Sequence, residues 1–397
     1  MHPMTIAVNP TALREVRRQR SLNIAAVAEY SSISSSRLSD FESGERKPTY
    51  KQIAKLAQIY GVASYLLTSE SIPNVPPPPR DYRRAGDHLA DISPRGYRAI
   101  IHSDKIATFS AEMLVGDKTN FLTLDSSIKD VSNIEQRAAI FRGIFNAWLS
   151  PRADDLAFAG TNVTKLISAT KLFFEAHKRF ARTDDAPPSD FMGFYLTPDQ
   201  GLPNIFVNRK ISSKKAQLFT LLHEYYHAII GEEGISDPFV QNNIIERQCN
   251  KFAVEVLAPA EEFNALVSGA PKVVRDDAVA LTQYVSRRSK LSHQASAIRL
   301  KELDHIKQNV LNELLQYFQH RRQEEKDGEN PDDNNDFGWA HAKRVSELGH
   351  LPVWLAKRGV DAGDIDRVDI KKAIGLAFSS QERAFALAER RIEIALR

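Results

Sequence analysis

Leu-Phe-Thr-Leu-Leu-His-Glu-Tyr-Tyr-His-Ala-Ile-Ile-Gly, residues 218–231, is the stretch from which the rest of the chain can be placed. Ser212 and Ser213 are cap candidates ahead of it and Gly231 ends it, so the pattern predicts a helix over 213–231. Leu218, Leu221, Leu222, Ala228, Ile229 and Ile230 make that helix apolar and predict burial. Residues four apart share one helix face, so His223 and His227 point the same way and can hold one metal ion. Glu224 lies one step round, placed to take a proton from a metal-activated water. Two histidines and a glutamate are costly on a buried helix unless they serve a site.

Such a centre needs a third protein ligand and an open position. Nineteen residues after His227 comes Glu246, on a second helix predicted from about Asn242 to Leu257 and stopped before Pro259. Asn250 is one turn further along the same face, where it would support a ligand from behind. Glu232, Glu233 and Asp237, in the loop between the helices, are weaker ligand candidates. Tyr225 and Tyr226 cannot both face the site, and neither is assigned a role in the reaction. Before the first helix, Pro203 to Asn208 reads as a strand whose edge an extended substrate could pair with.

These residues carry a resemblance. Pro203 to Asn208, Phe219 to His227 and Glu246 to Pro259 fit the patterns Pro-x-Ile-x-x-Asn, Phe-Thr-Leu-x-His-Glu-x-x-His and Glu-x-x-x-Asn-x-Phe-Ala-x-x-x-Leu-x-Pro, so that 192–259 resembles the ImmA/IrrE metallopeptidases. The resemblance implies a zincin-like domain binding Zn2+, with Mn2+ the alternative, that cuts a partner transcriptional repressor. Two positions depart from the family, which commonly has an acidic residue and an alanine where this chain has Gln248 and Cys249. Glu246 is then the one glutamate ligand of the motif. A small buried residue is the preferred reading of Cys249, over a redox-sensitive thiol near the metal.

Residues 11–69 show short amphipathic helices, with apolar positions at Leu13, Val16, Ile24, Val27, Leu38, Phe41, Ile53 and Leu56 and a fifth helix expected around Val62, Tyr65 and Leu66. Breaks fall near Ser21, Ser31 and Gly44 to Thr49. The order of helix, small residue, anchor, Glu-x-Gly and Pro resembles the Cro/C1-type (XRE) helix-turn-helix family. That resemblance puts Ser35, Ser36, Arg37 and Asp40 in the major groove of a double-stranded operator, and Arg46, Lys47 and Lys51 on phosphates. Residues 1–69 hold nine Lys and Arg against five Asp and Glu, whereas the chain as a whole has 53 against 50, a net charge of +3. The basic balance that suits nucleic acid is thus local.

Residues 71–92, with four consecutive prolines from Pro76, are expected to be a stiff spacer that sets 1–70 apart. Residues 93–321 are expected to form the peptidase domain with a helical extension, interrupted by a surface loop at 182–190. Residues 322–338 are expected to be a disordered linker, and 339–397 a detached helical module or a dimerisation element for a homodimer, with helices at 339–359 and 367–397. Two short helices with a turn near Ser292 carry Arg287, Arg288, Lys290 and Arg299, a secondary candidate for DNA contact. His88, His102, His177, His293, His305 and His320 have no spacing partner.

The fold class expected is α+β, mainly α with a small sheet. No apolar run is long enough to span a bilayer, the basic start lacks a secretory apolar segment, and the single cysteine, Cys249, suits the cytoplasm and excludes an intramolecular disulfide or a four-cysteine zinc site. The function expected is a DNA-binding regulator with a zinc endopeptidase. Its rivals are a ligand- or metal-sensing transcription factor that does not cleave, and an antitoxin-type interaction protein.

Overall fold

The computed structural model describes residues 5–20, 22–62, 64–70, 92–123, 127–156, 162–211, 213–236, 244–328 and 340–397. The chain opens with helices α1 (Pro10–Gln19), α2 (Ile24–Ser31), α3 (Ser35–Ser43) and α4 (Tyr50–Tyr60). Their starts are fixed by side-chain caps: Asn9, Asn23, Ser34 and Thr49 accept from backbone N–H groups three residues on. α3 ends on Gly44 at φ +84°, a left-handed cap that only glycine takes without strain. Arg17 and Glu42 form a two-pronged pair at 2.7 and 2.8 Å that ties α1 to α3. The fifth helix is only a 3-10 turn, Ser64–Leu67.

Helices α5 (Pro94–Met113), α6 (Ser127–Asp130), α7 (Ile134–Leu149) and α8 (Val163–Ala176) precede a sheet of β1 (Phe180–Asp184), β2 (Gly193–Leu196), β3 (Asn204–Asn208) and β4 (Gly234–Ser236), with α9 (Lys214–Ile230) between β3 and β4 in sequence. The spatial order is β1-β3-β2-β4. β1 and β3 run parallel and the other pairs antiparallel. β3 is therefore interior. Both its edges are taken, so the expected substrate edge at 203–208 does not exist. The segment 182–190 is no surface loop either: Arg182 to Asp184 belong to β1, and Arg182 (1% exposed), Ala186 and Asp190 are buried. Its polar composition misleads because the Arg182 guanidinium bonds internally through its two Nη atoms, to Ser103 Oγ at 2.9 Å and to Asp184.

Side chains alternate across the sheet, and both faces are covered. Tyr195, Ile205 and Val207 join the main core with Leu218, Leu221 and Leu222 of α9. Phe194, Leu196 and Phe206 join the core of the first four helices instead, together with Tyr97 and Ile100 of α5. Phe194 and Phe206 face each other across the register, their rings parallel with centroids 4.6 Å apart. The N-terminal helices thus do not stand apart; they close the outer face of the sheet, which would otherwise show aromatic rings to water. Tyr97 donates to the Arg20 carbonyl (2.8 Å) and Arg20 Nε to the Tyr60 carbonyl (2.9 Å), both bonds buried. Of the expected spacer, 71–91 lies outside the described residues, and Ile92 is buried in the N-terminal core.

After β4 come α10 (Ile244–Leu257), α11 (Ala260–Ser268), α12 (Lys272–Arg275), α13 (Ala278–Arg288), α14 (His293–Glu302) and α15 (Gln308–Gly328). Phe263, Leu281, Val285 and Leu300 form a small core of their own. α15 continues through 322–328, the start of the expected linker; 329–338 lie outside the described residues. The last helices are α16 (Ala340–Leu348), α17 (His350–Ala362), α18 (Arg367–Ile374) and α19 (Phe378–Leu396), with Gly349 at φ +94° breaking the first expected helix in two.

This C-terminal part is not detached. Val345, Leu348, Leu355, Ala388 and Ile392 are fully buried in the same core as Phe173 and Leu218. Glu175, itself 0% exposed, accepts from the His350 backbone N–H at 2.5 Å, and Lys171 donates to the Ser346 carbonyl at 2.7 Å. Helical spacing predicts a buried face on each helix but not what buries it, which is why the docking was missed. Among the described residues, no helix is long and apolar enough to cross a membrane.

Candidate metal centre and DNA-facing surface

α9 begins on Ser213, which accepts from the Ala216 N–H, and ends on Gly231 at φ +77°. It lies against the inner face of the sheet on one side and α10 on the other, and His223, Glu224 and His227 are 0% exposed. α10 brings Glu246, also 0% exposed, against both imidazoles. Glu246 Oε2 lies 3.3 Å from His223 Nε2, and Oε1 lies 3.2 Å from His227 Nε2. Behind the rings, His223 Nδ1 is 2.9 Å from Asn250 Oδ1 and His227 Nδ1 is 3.1 Å from the Glu232 carbonyl.

A carbonyl oxygen only accepts, so each Nδ1 is the donor in these two bonds and each Nε2 is turned toward Glu246. Burial, the largest influence on His227, pulls its pKa down. Burial alone would push the Glu246 carboxyl up, but the facing imidazoles more than reverse this and bring it to about 2. Two imidazole Nε2 atoms and the Glu246 carboxylate thus converge on one buried point. His223 Nε2 and both Glu246 oxygens make no hydrogen bond. Buried polar atoms are rarely left so, and a divalent cation between them would satisfy all three. By that test the residues present fit a zinc-type ion.

Glu224 faces β2. A Cβ added to Gly193 would stand 2.6 Å from Glu224 Oε1 and 2.7 Å from Thr220 Cγ2, so only glycine leaves room for this carboxylate. Nothing in the sequence patterns singled Gly193 out. Cys249, one turn along α10 from Glu246, was read as packing, and it is buried. Its sulfur nevertheless lies with the His223 and His227 ring nitrogens in a group of atoms all within 4.8 Å of one another. Burial, followed by the Glu246 and Glu224 carboxylates, holds its thiol well above the usual range.

Tyr225 and Tyr226 both pack: Tyr225 stacks on Phe174 at 4.1 Å, and Tyr226 lies against Phe252 and accepts from Arg137. Glu232 contributes its carbonyl, Glu233 accepts from the Thr197 N–H at 2.7 Å, and Asp237 lies outside the described residues. A cleft of about 590 Å³ runs beside the centre, lined by Met192, Phe219, Thr220, Asn250, Val254 and Leu303 among others. Asn250, the partner of His223, lines it, and none of His223, Glu224, His227 or Glu246 does.

At the other end of the chain, Ser35, Ser36 and Arg37 form the exposed first turn of α3, and Asp40, half-buried, faces Arg46 at 3.8 Å. Lys47 and Lys51 are exposed at and just after the turn between α3 and α4. The secondary basic cluster does not gather: Arg299 is buried and bound to Glu255 at 2.6 Å, and Arg288 lies over the Tyr284 ring. Of the histidines without a spacing partner in the sequence, His102 is beside Asp184, His177 against Phe173, His293 against Phe318 and His305 on Asn264. His88 lies outside the described residues.

No curated protein and no solved structure matches the chain. Two family models do. Residues 180–301, from β1 to α14, match a peptidase family described as the IrrE N-terminal-like domain. Residues 13–67 match a helix-turn-helix family that spans α1 to the 3-10 turn. The chain thus joins an XRE-type helix-turn-helix of DNA-binding regulators to a metallopeptidase-like domain of the ImmA/IrrE kind.

Proposed function

We propose that this protein is a DNA-binding transcriptional regulator whose second unit is a zinc-dependent endopeptidase, with Mn2+ the alternative ion, and that it cleaves a partner repressor. One observation carries the proposal: two buried imidazoles and a buried carboxylate meet at one point, with Glu224 next to His223 on the same helix. His223, His227 and Glu246 would hold the ion, which supplies polarisation of a peptide carbonyl and a more acidic water. Asn250 and the Glu232 carbonyl fix the two rings by holding their Nδ1 protons, and so keep each Nε2 available as a donor. Glu224 accepts a proton on Oε1 or Oε2 and returns it to the leaving amine, and Gly193 leaves it the room to stand there. The helix-turn-helix would keep the peptidase at promoters where repressors sit, with Ser35, Ser36, Arg37 and Asp40 toward base edges and Arg46, Lys47 and Lys51 toward phosphates.

A second reading is favoured by the complete burial of His223, Glu224, His227 and Glu246: a metal-sensing factor that does not cleave. Glu224→Gln separates the two. Glutamine keeps the shape and the hydrogen bonding but takes no proton. Incubated with the repressors encoded beside it, the metal-loaded wild type should cut one, and Glu224→Gln should lose at least about 10²-fold in rate while keeping its metal. A variant that regulates a native-promoter reporter like wild type, while a His223→Ala/His227→Ala chain fails, would leave sensing as the function.

A further inference from the structure

Cys249 is the one cysteine of the chain, and it is 0% exposed on α10, three residues after Glu246. Three residues are just under one helical turn, so both side chains leave α10 toward α9. The Cys249 sulfur and the His223 and His227 ring nitrogens are within 4.8 Å of one another. A metal ion with donors about 2.0–2.3 Å away spans nearly this distance, and a change in one side-chain torsion covers the remainder. The lone pair at His223 Nε2, buried and without a hydrogen bond, is an independent sign that an ion belongs on this side of the helix.

We infer that Cys249 Sγ is a fourth protein ligand of the ion held by His223, His227 and Glu246, which closes the centre in the resting protein. This rests on the metal-centre reading proposed above. The thiol proton leaves to solvent as the thiolate binds, because a coordinating thiol is deprotonated. Zinc is tetrahedral where it serves structure, and four protein donors leave no position for a substrate. A closed centre matches the complete burial of all four side chains and a neighbouring cleft that none of them lines. Cleavage would then proceed only from the fraction of molecules in which the sulfur has left the ion, so the thiol lowers the rate of the metal-loaded protein.

The test is the absorption spectrum of the full-length protein loaded with Co2+ in place of zinc. Tetrahedral cobalt shows visible ligand-field bands whatever its donors, and a thiolate donor adds a near-ultraviolet charge-transfer band. Because the chain has one cysteine, that band can come only from Cys249. Wild type should show both features. Cys249→Ala and Cys249→Ser should keep the visible bands, lose the near-ultraviolet one, and bind zinc more weakly by at least the roughly 10–100-fold that loss of an outer hydrogen-bonding partner costs. Visible bands without the charge-transfer band in wild type, or equal zinc affinity in all three proteins, would overturn the inference and leave the three-ligand centre standing. Absence of cobalt uptake altogether would overturn both.

Discussion

Gly193 shows how closely the candidate site is built. It pairs with Val207 on one side and Ser236 on the other, and its missing side chain is the space in which the Glu224 carboxylate sits. Gly193→Ala should therefore leave the fold and the metal in place while displacing Glu224 by about an ångström. A shift of that size costs on the order of 10²-fold in rate when the displaced group is catalytic. Equal cleavage rates for Gly193→Ala and wild type would remove Glu224 from the reaction as described. Other residues of the site differ in how far the sequence exposes them. The four-residue spacing of His223 and His227 makes their shared direction readable from the helix period alone. The nearness of Cys249 is not readable in that way, because a buried sulfur and a buried methyl produce the same apolar pattern and only the position of α9 tells them apart.

Among the elements, those with local signals were readable and those defined by distant partners were not. Ser213 and Gly231 bracket α9, and Ser292 opens α14, each through its own cap. β2 has no alternation to detect: Phe194, Tyr195 and Leu196 are all buried, because the sheet is covered on one face by α9 and on the other by the helix-turn-helix. β3 reads correctly as a strand, but its interior place depends on β1 and β2 and cannot be read from 203–208. The C-terminal helices show the same limit. A chain ending at residue 338 lacks Val345, Leu348, Leu351, Leu355 and Ile392, all fully buried. At about 1.5–3 kcal/mol for each such side chain, the loss is comparable to the whole stability of a typical domain, about 5–15 kcal/mol. Truncation at 338 should abolish cooperative thermal unfolding. A truncated chain that melts like the full one would restore the detached module.

For the whole molecule, the sheet is the wall shared by the helix-turn-helix and the metallopeptidase-like domain. Phe194 and Phe206 belong to the helix-turn-helix core, while Tyr195, Ile205 and Val207 pack with α9. The proline run predicts separation, and composition carries no information about a docking surface made of dispersed aromatic and aliphatic residues. DNA binding should still follow the N-terminal charges: affinity should fall steeply with salt as phosphate contacts release counterions. In gel shifts, Arg37→Ala should weaken operator binding by about 1–3 kcal/mol more than random-sequence binding. Lys47→Ala should weaken both alike. The opposite pattern would exchange the roles of these two residues.

The central claim is that one ion sits where His223, His227 and Glu246 converge, and metal content of the purified full-length protein tests it most directly. Elemental analysis should find about one equivalent of zinc, or manganese, per chain in wild type, and little in His223→Ala or Glu246→Ala, with all three folded by circular dichroism. A full equivalent retained by both variants, or no metal in the folded wild type after incubation with zinc and manganese, would contradict it.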